Sequence, residues 1–245
     1  MILFPAPRET LLQLLPKNGV VCEIGVAEGE FSQSILNHSN PQKLHLIDPW
    51  VHQEREDYVK DTNNVSNEEG DRRFKVVSTQ FQAQSANGQV EIHRAFSYDM
   101  ADEFPDNYFD WIYVDAVHSY EGAKEDLLRF LPKVKSDGFI FGHDYTNHIH
   151  AREMDFGVVK AVDEFCIEQD MFFIALTNES YPSFILSRNE QSEATQMLRS
   201  HIFYNFSQVT EIVGHPKHTK MALDYFEIDS KIGINTKFIP REREM

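Results

Sequence analysis

Residues Val20 to Leu36 read VVCEIGVAEGEFSQSIL. A short apolar run leads into a loop holding Gly25 and Gly29, and the segment after it places Phe31, Ile35 and Leu36 at helical spacing. Such a run, bounded by glycine, suits a strand buried on both faces of a parallel sheet. Glycine lacks a Cβ, so the chain can turn sharply there and a ligand can approach the main chain, facing the free N–H groups that open the next helix. Glu23 sets a carboxylate just before the turn, where it can accept from the ammonium group of an amino-acid-like ligand. An ordinary strand-to-helix turn has the same pattern, so residues further along the chain decide the assignment.

Downstream, LHLIDPW is a second apolar strand ending at Asp48. An acid about 20 positions past a glycine turn is where nucleotide-binding α/β folds hold ribose hydroxyls. Asp48 can also be read as a turn former ahead of Pro49. Residues 51–70 are polar, acidic and rich in Asn, and are expected to form an exposed lid. A helix over Asp71 to Ala86, a strand over Val90 to Ala95 that ends near Ser97, and a short helix at Met100 to Phe104 come next.

The second informative stretch is WIYVDAVHSYEGAKEDLLRFLPKVKSDGFIFGHDY, from Trp111 to Tyr145. It predicts a strand to Asp115, a helix from Tyr120 to Leu131 and a strand from Phe139 to Gly142. Two successive strands therefore end in acids, Asp115 and Asp144. Ligands of open α/β sheets bind outside the carboxyl ends of the strands, so these acids should share one mouth with Gly25 and Asp48. A helix over Asp155 to Gln169 and strands over Phe172 to Leu176 and Ser183 to Leu186 complete the pattern. At the start, a helix over Thr10 to Leu15 is expected, capped by Thr10. Beyond Ser187 only one helix, Glu190 to Val209, can be placed. His148 and His150 read as exposed loop residues.

The fold expected is a doubly wound, Rossmann-like, mostly parallel seven-stranded sheet with helices on both faces. Residues 1–187 form the domain, and 188–245 an extension packed on it. A 41% hydrophobic content in 245 residues can supply one full core. The net charge of −16, from 23 basic against 39 acidic residues, repels phosphate backbones and anionic lipid. Nucleic acid is not an expected partner: the only basic groupings are Arg72-Arg73 and the terminal Arg241 and Arg243. Cys22 and Cys166 read as buried apolar fillers. With no signal-like leader and no run of membrane-spanning length, a cytoplasmic protein is expected. Homo-oligomerisation is left open.

The turn Glu23-x-Gly25-x-x-x-Gly29, with the runs D-x-x-H-S-Y from Asp115 and G-H-D-Y from Gly142, resembles the class I S-adenosylmethionine-dependent methyltransferases. Within them it is similar to the metal-dependent O-methyltransferases of small molecules, over about Val20 to Leu186. The resemblance implies that Glu23, Gly25 and Gly29 cradle the methionine part of the cofactor, Asp48 holds the ribose, and the neighbourhood of Ser97 borders the adenine. It also implies a divalent metal on Asp115, His143 and Asp144, with a small-molecule hydroxyl as acceptor. His143 stands where an acid is commoner. Two carboxylates with waters suit Mg²⁺, while an added imidazole admits Mn²⁺, Fe²⁺ or Zn²⁺. His118, three residues past Asp115, matches the spacing of the lysine base in catechol-type members, so it is expected to take the hydroxyl proton. Two alternatives stand beside this reading. One is an NAD-dependent oxidoreductase, against which Glu23 occupies the position of its first fingerprint glycine. The other is a non-catalytic cofactor-binding protein of the same fold.

Overall fold

The computed structural model describes residues 1–228 and 231–241. In chain order its elements are β1 (Ile2–Phe4), α1 (Arg8–Leu14), β2 (Val20–Ile24), α2 (Glu30–Ser39), β3 (Lys43–Asp48), α3 (Asn67–Gln80), α4 (Gln82–Ala86), β4 (Val90–Arg94), α5 (Ser97–Ala101) and β5 (Phe109–Val114). They continue with α6 (Tyr120–Phe130), β6 (Val134–Gly142), α7 (Ile149–Glu153), α8 (Val158–Glu168), β7 (Phe172–Thr177), β8 (Phe184–Ser187), α9 (Glu193–Asn205), β9 (Thr210–Glu211), β10 (Thr219–Ile228) and β11 (Lys231–Pro240).

The main sheet runs β4-β3-β2-β5-β6-β8-β7-β1-β9. Strands β4 through β6 pair in parallel, β8 is antiparallel to both β6 and β7, and β1 lies parallel to β7. The expected seven strands are all present, and the sheet is extended by two more. Strand β1 pairs Ile2 with Ala175, and β9 closes that edge antiparallel to β1. A separate antiparallel hairpin, β10 with β11, occupies the tail.

Side-chain alternation explains the two helical layers, because successive residues of a strand face opposite sides. On one face Val21, Trp111, Tyr113, Phe139 and Phe141 pack with Leu11, Phe31, Ile35, Val77, Leu198 and Ile202. On the other, Cys22, Ile24, Ile112 and Ile140 pack with Ala123, Leu127, Phe130, Val162, Phe165 and Cys166. Both cysteines are free and buried. The order of strand addition reverses at β2, with β3 on one side and β5 on the other, so the carboxyl ends of β2, β3, β5 and β6 bound one crevice.

Several boundaries differ from those expected. Helix α1 starts at Arg8 with Pro7 as N-cap and no side-chain cap, so Thr10 lies inside the helix. Helix α3 begins at Asn67 and is capped by Ser66, whose hydroxyl accepts from the Glu69 N–H, so the lid is confined to residues 51–66. The short helix after β4 starts at Ser97, not Met100. His148 is buried and caps α7, its Nδ1 accepting from the Ala151 N–H at 3.2 Å; only His150 is exposed. Arg72 and Arg73 are both engaged by Glu69 and make no free basic patch. Arg241 binds Asp163, and Arg243 lies outside the described residues. Among the described residues no helix is long and apolar enough to cross a membrane.

Candidate active site

The turn after β2 is locked to its neighbours through the main chain. Gly25 has φ +89°, its N–H donates to the Ile47 carbonyl at 2.9 Å, and the Asp115 N–H donates to the Ile24 carbonyl at 2.8 Å. A Cβ at Gly25 would lie 2.0 Å from the Asp115 carbonyl oxygen. The loops leaving β2 and β5 therefore touch backbone to backbone. Gly29, at φ +80°, is the residue before α2, and a Cβ there would press on the Phe81 ring at 3.0 Å. Gly25 lines the cavity at the crevice, and Gly29 packs the turn against Val77 of α3 and Phe81.

Asp48 organises this loop directly. Its Oδ2 accepts from the N–H groups of Val26 and Ala27, both at 3.0 Å, and its Oδ1 from Trp50 N–H at 2.7 Å. Burial raises its pKa against the pull of these three donors. The two readings of Asp48 coexist, since it forms the strand-end turn and faces the cavity. Glu23 is 1% exposed, accepts from the Ser32 hydroxyl and lines the cavity. Burial pushes its pKa up to about 8. From the ordinary value of 4.5 up to about 8, the folded chain holds a proton that the unfolded chain has released, so this group's contribution to stability falls as pH rises. Glu23→Gln should therefore raise the melting temperature relative to wild type by an amount that grows from about pH 5 to about pH 8. A constant difference across that range in thermal melts would mean that Glu23 is ionised in the folded state.

Ser97 also lines the cavity, but its hydroxyl donates to Asp126 Oδ1 at 2.5 Å. Burial brings Asp126 to about 7. Next to this pair the rings of Phe96 and Tyr98 stack at 5.0 Å and 9°, giving the far end of the cavity a flat apolar wall suited to an aromatic base.

At the other end, the acids meet. His118 Nε2 lies 2.9 Å from Asp144 Oδ2 and 3.5 Å from Asp115 Oδ1, and His118 Nδ1 lies 2.6 Å from Asp61 Oδ2 in the lid. The group brought together is Asp115, His118 and Asp144, whose ligand atoms lie within 4.8 Å of one another. His143 is not part of it. Its Nδ1 lies 3.1 Å from Asp144 Oδ1 and it lines the same cavity, but among the described residues the converging group takes His118 where His143 was expected. The two carboxylates are not left to repel each other either: Arg8 Nη1 and the Tyr113 hydroxyl each reach Asp115 Oδ2 at 2.9 Å.

His118, expected to take the hydroxyl proton, sits among three carboxylates. Burial alone would lower its pKa, but the charge of Asp144 and the contacts with Asp115, Asp144 and Asp61 outweigh burial and raise it well above 6.5. Asp144 is correspondingly held well below its usual range, burial notwithstanding, by His118 and His143. The carboxylate neighbours of His118 favour the protonated imidazole, and an ion held on Nε2 would occupy the same lone pair. The buried Nε2 also lacks a hydrogen bond of acceptable geometry despite its short distance to Asp144. An orphaned nitrogen aimed between two carboxylate oxygens, with its partner nitrogen fixed by Asp61, is a donor set that fits a divalent ion.

Arg8, Asp61 and the aromatic wall were not found in the sequence. Arg8 arrives from α1, over the Phe31 ring at 4.6 Å, and nothing local marks it. Asp61 sits among several acids of the lid, and only folding selects it.

An open sheet with β8 reversed between β6 and β7, a glycine turn after β2 and acids at the ends of β3 and β5 and just past β6 defines a Rossmann-like methyltransferase architecture. The chain belongs to the methyltransferase-domain family, whose profile matches residues 22–145, just over half of its length. The family implies S-adenosylmethionine as methyl donor, and the oxidoreductase reading falls with that assignment. Similar solved folds include a Corynebacterium glutamicum protein at 14% identity, covering 78% of this chain and 85% of that one with a TM-score of 0.50. A tRNA methyltransferase from B. subtilis is 11% identical over 78% and 71% of the two chains, with a TM-score of 0.50. A Streptococcus mutans protein in complex with SAH is 10% identical over 73% and 93%, also at 0.50. At these identities the likeness concerns the fold alone. No curated protein sequence matches significantly.

Proposed function

We propose that this methyltransferase moves the methyl group of S-adenosylmethionine to a hydroxyl oxygen of a small molecule, with a divalent metal ion held by Asp115, His118 and Asp144. The observation that carries the reading is that one cavity of about 530 Å³ is lined both by the Gly25 turn with Asp48 and by all three of those side chains. A bound divalent ion would supply a lowered hydroxyl pKa and a fixed position for the oxygen. With one imidazole and two carboxylates, the donor set suits Mn²⁺, Fe²⁺ or Zn²⁺ as well as Mg²⁺.

The chain's own residues do the positioning. Asp61 accepts the Nδ1 proton of His118 and so presents Nε2 to the cavity, while His143 holds the far oxygen of Asp144. The lid also binds the turn between α7 and α8, through Lys60 to Asp155 at 2.7 Å, so the two segments close the mouth together. Tyr58, Phe156 and Tyr181 line that mouth and exclude water beside the reacting groups. With His118 committed elsewhere, the hydroxyl proton is left to solvent. The net charge of −16 favours a small neutral or cationic acceptor over nucleic acid.

S-adenosylhomocysteine should raise the melting temperature and NAD should not, because a ligand that binds only the folded state stabilises it. Methyl-labelled S-adenosylmethionine offered with panels of phenols, other alcohols and amines should then label oxygen. Binding without transfer to any acceptor would favour a non-catalytic cofactor-binding protein, and label on nitrogen alone would sink the hydroxyl reading.

A further inference from the structure

A second group of metal-ligating side chains lies on the opposite edge of the fold's switch point, on the neighbouring strands β3 and β4. His45 pairs directly with Glu91, and His93, two residues further along β4, emerges on the same face. His45 Nδ1 lies 3.0 Å from His93 Nε2 and 3.8 Å from Glu91 Oε2, and His93 Nε2 lies 4.0 Å from Glu91 Oε1. The two rings run parallel, 5.3 Å apart at 18°. One nitrogen from each ring and the carboxylate thus converge on a single point near the surface.

We propose that His45, Glu91 and His93 form a second divalent-metal site, for a borderline first-row ion such as Zn²⁺ or Co²⁺, with water in the remaining position. The donor chemistry fits: two imidazoles and one carboxylate around an open position are a zinc-type set, and nitrogens about 3 Å apart suit neighbouring ligands of one ion at about 2.1 Å each. The outer shell fits as well. The other nitrogen of His45, Nε2, lies 3.2 Å from the Tyr108 hydroxyl, the arrangement that fixes a ligand imidazole's tautomer and orientation. His45 is buried within Phe104, Tyr108 and Phe109, while Glu91 is half exposed, so an ion would reach the group from solvent. Lys43 now holds Glu91 Oε2 at 2.7 Å, and an ion would replace that ammonium group. A site here would cross-link edge strand β4 to β3, and it involves none of the residues assigned to the Asp115 group.

The test uses the full chain, stripped with a chelator, in an Asp144→Asn background so that the other group lacks a ligand. Calorimetric titration with Zn²⁺ should show one equivalent bound, and Co²⁺ should develop the visible absorption of a four-coordinate ion. His93→Ala and, separately, Glu91→Gln should remove that equivalent and that spectrum. Tyr108→Phe should weaken binding about tenfold to a hundredfold while leaving one equivalent. Glu91→Gln changes an exposed edge residue, so it reports on the site even if His93→Ala unfolds. No stoichiometric Zn²⁺ uptake in the Asp144→Asn protein, or uptake indifferent to Glu91→Gln and His93→Ala, would show that the rings share an N–H···N hydrogen bond and nothing more.

Discussion

Gly25→Ala should abolish S-adenosylhomocysteine binding. The added Cβ would lie 2.0 Å from the Asp115 carbonyl oxygen, 2.5 Å from its carbon and 2.8 Å from Ala116 Cα, all main-chain atoms. Nothing there is the movable end of a side chain, so relief requires the loops after β2 and β5 to separate, which carries Asp115 away from His118 and opens the floor of the cofactor cavity. The left-handed backbone at φ +89° adds about 1–2 kcal/mol for any residue with a Cβ. Affinity should fall by more than about a hundredfold in calorimetry, which is about 2.8 kcal/mol of binding free energy. Gly88→Ala is the control: its φ is similar at +82°, but a Cβ would meet nothing within 4 Å. It should show the backbone cost alone and bind S-adenosylhomocysteine normally. Equal binding by both variants would mean that the turn after β2 does not contact the cofactor.

Asp144→Asn should lower methyl transfer by about two orders of magnitude or more while changing S-adenosylhomocysteine affinity only a few-fold. Asp144 is 6% exposed and faces His118 Nε2 on one oxygen and His143 Nδ1 on the other, far from the glycine turn in the sequence but in the same cavity. Amide in place of carboxylate removes an anionic ligand and the charge that binds two imidazoles, and breaking such a buried arrangement is costly. Melting should therefore fall as well, and the loss should shrink toward acid pH. The Asp144 pKa is depressed in the folded state, so its stabilisation is present above about 3.8 and fades as pH drops. Parallel loss of cofactor affinity and activity would assign Asp144 to the architecture of the cavity alone.

Most of the sheet could be read from the chain because its strands are buried on both faces and stand out as apolar runs between turn residues, as at Val20–Ile24 and Trp111–Val114. Strand β1 could not, since a three-residue strand carries no periodicity and is defined only by its pairing with Ala175 to Thr177. The acids at strand ends were legible for the same topological reason that makes them useful. Which imidazole joins them was not. His118 and His143 both lie within three residues of a strand-end acid, and the choice is made by ring direction: Asp61 in the lid pulls His118 into the group, and Tyr181 lies parallel to the outer face of His143 at 6.5 Å. The packing of Gly29 against Phe81 was not legible either, because a glycine needed for packing looks the same in sequence as one needed for a ligand.

Metal-assisted transfer to a hydroxyl is tested by following label from S-adenosylmethionine into a hydroxyl acceptor before and after removal of divalent ions with EDTA. Transfer should stop with the chelator, return when Mg²⁺ or Mn²⁺ is added in excess, and fail to return in the Asp144→Asn protein. Full transfer in excess EDTA would contradict metal assistance and leave the Asp115, His118 and Asp144 group as an ion-pair network.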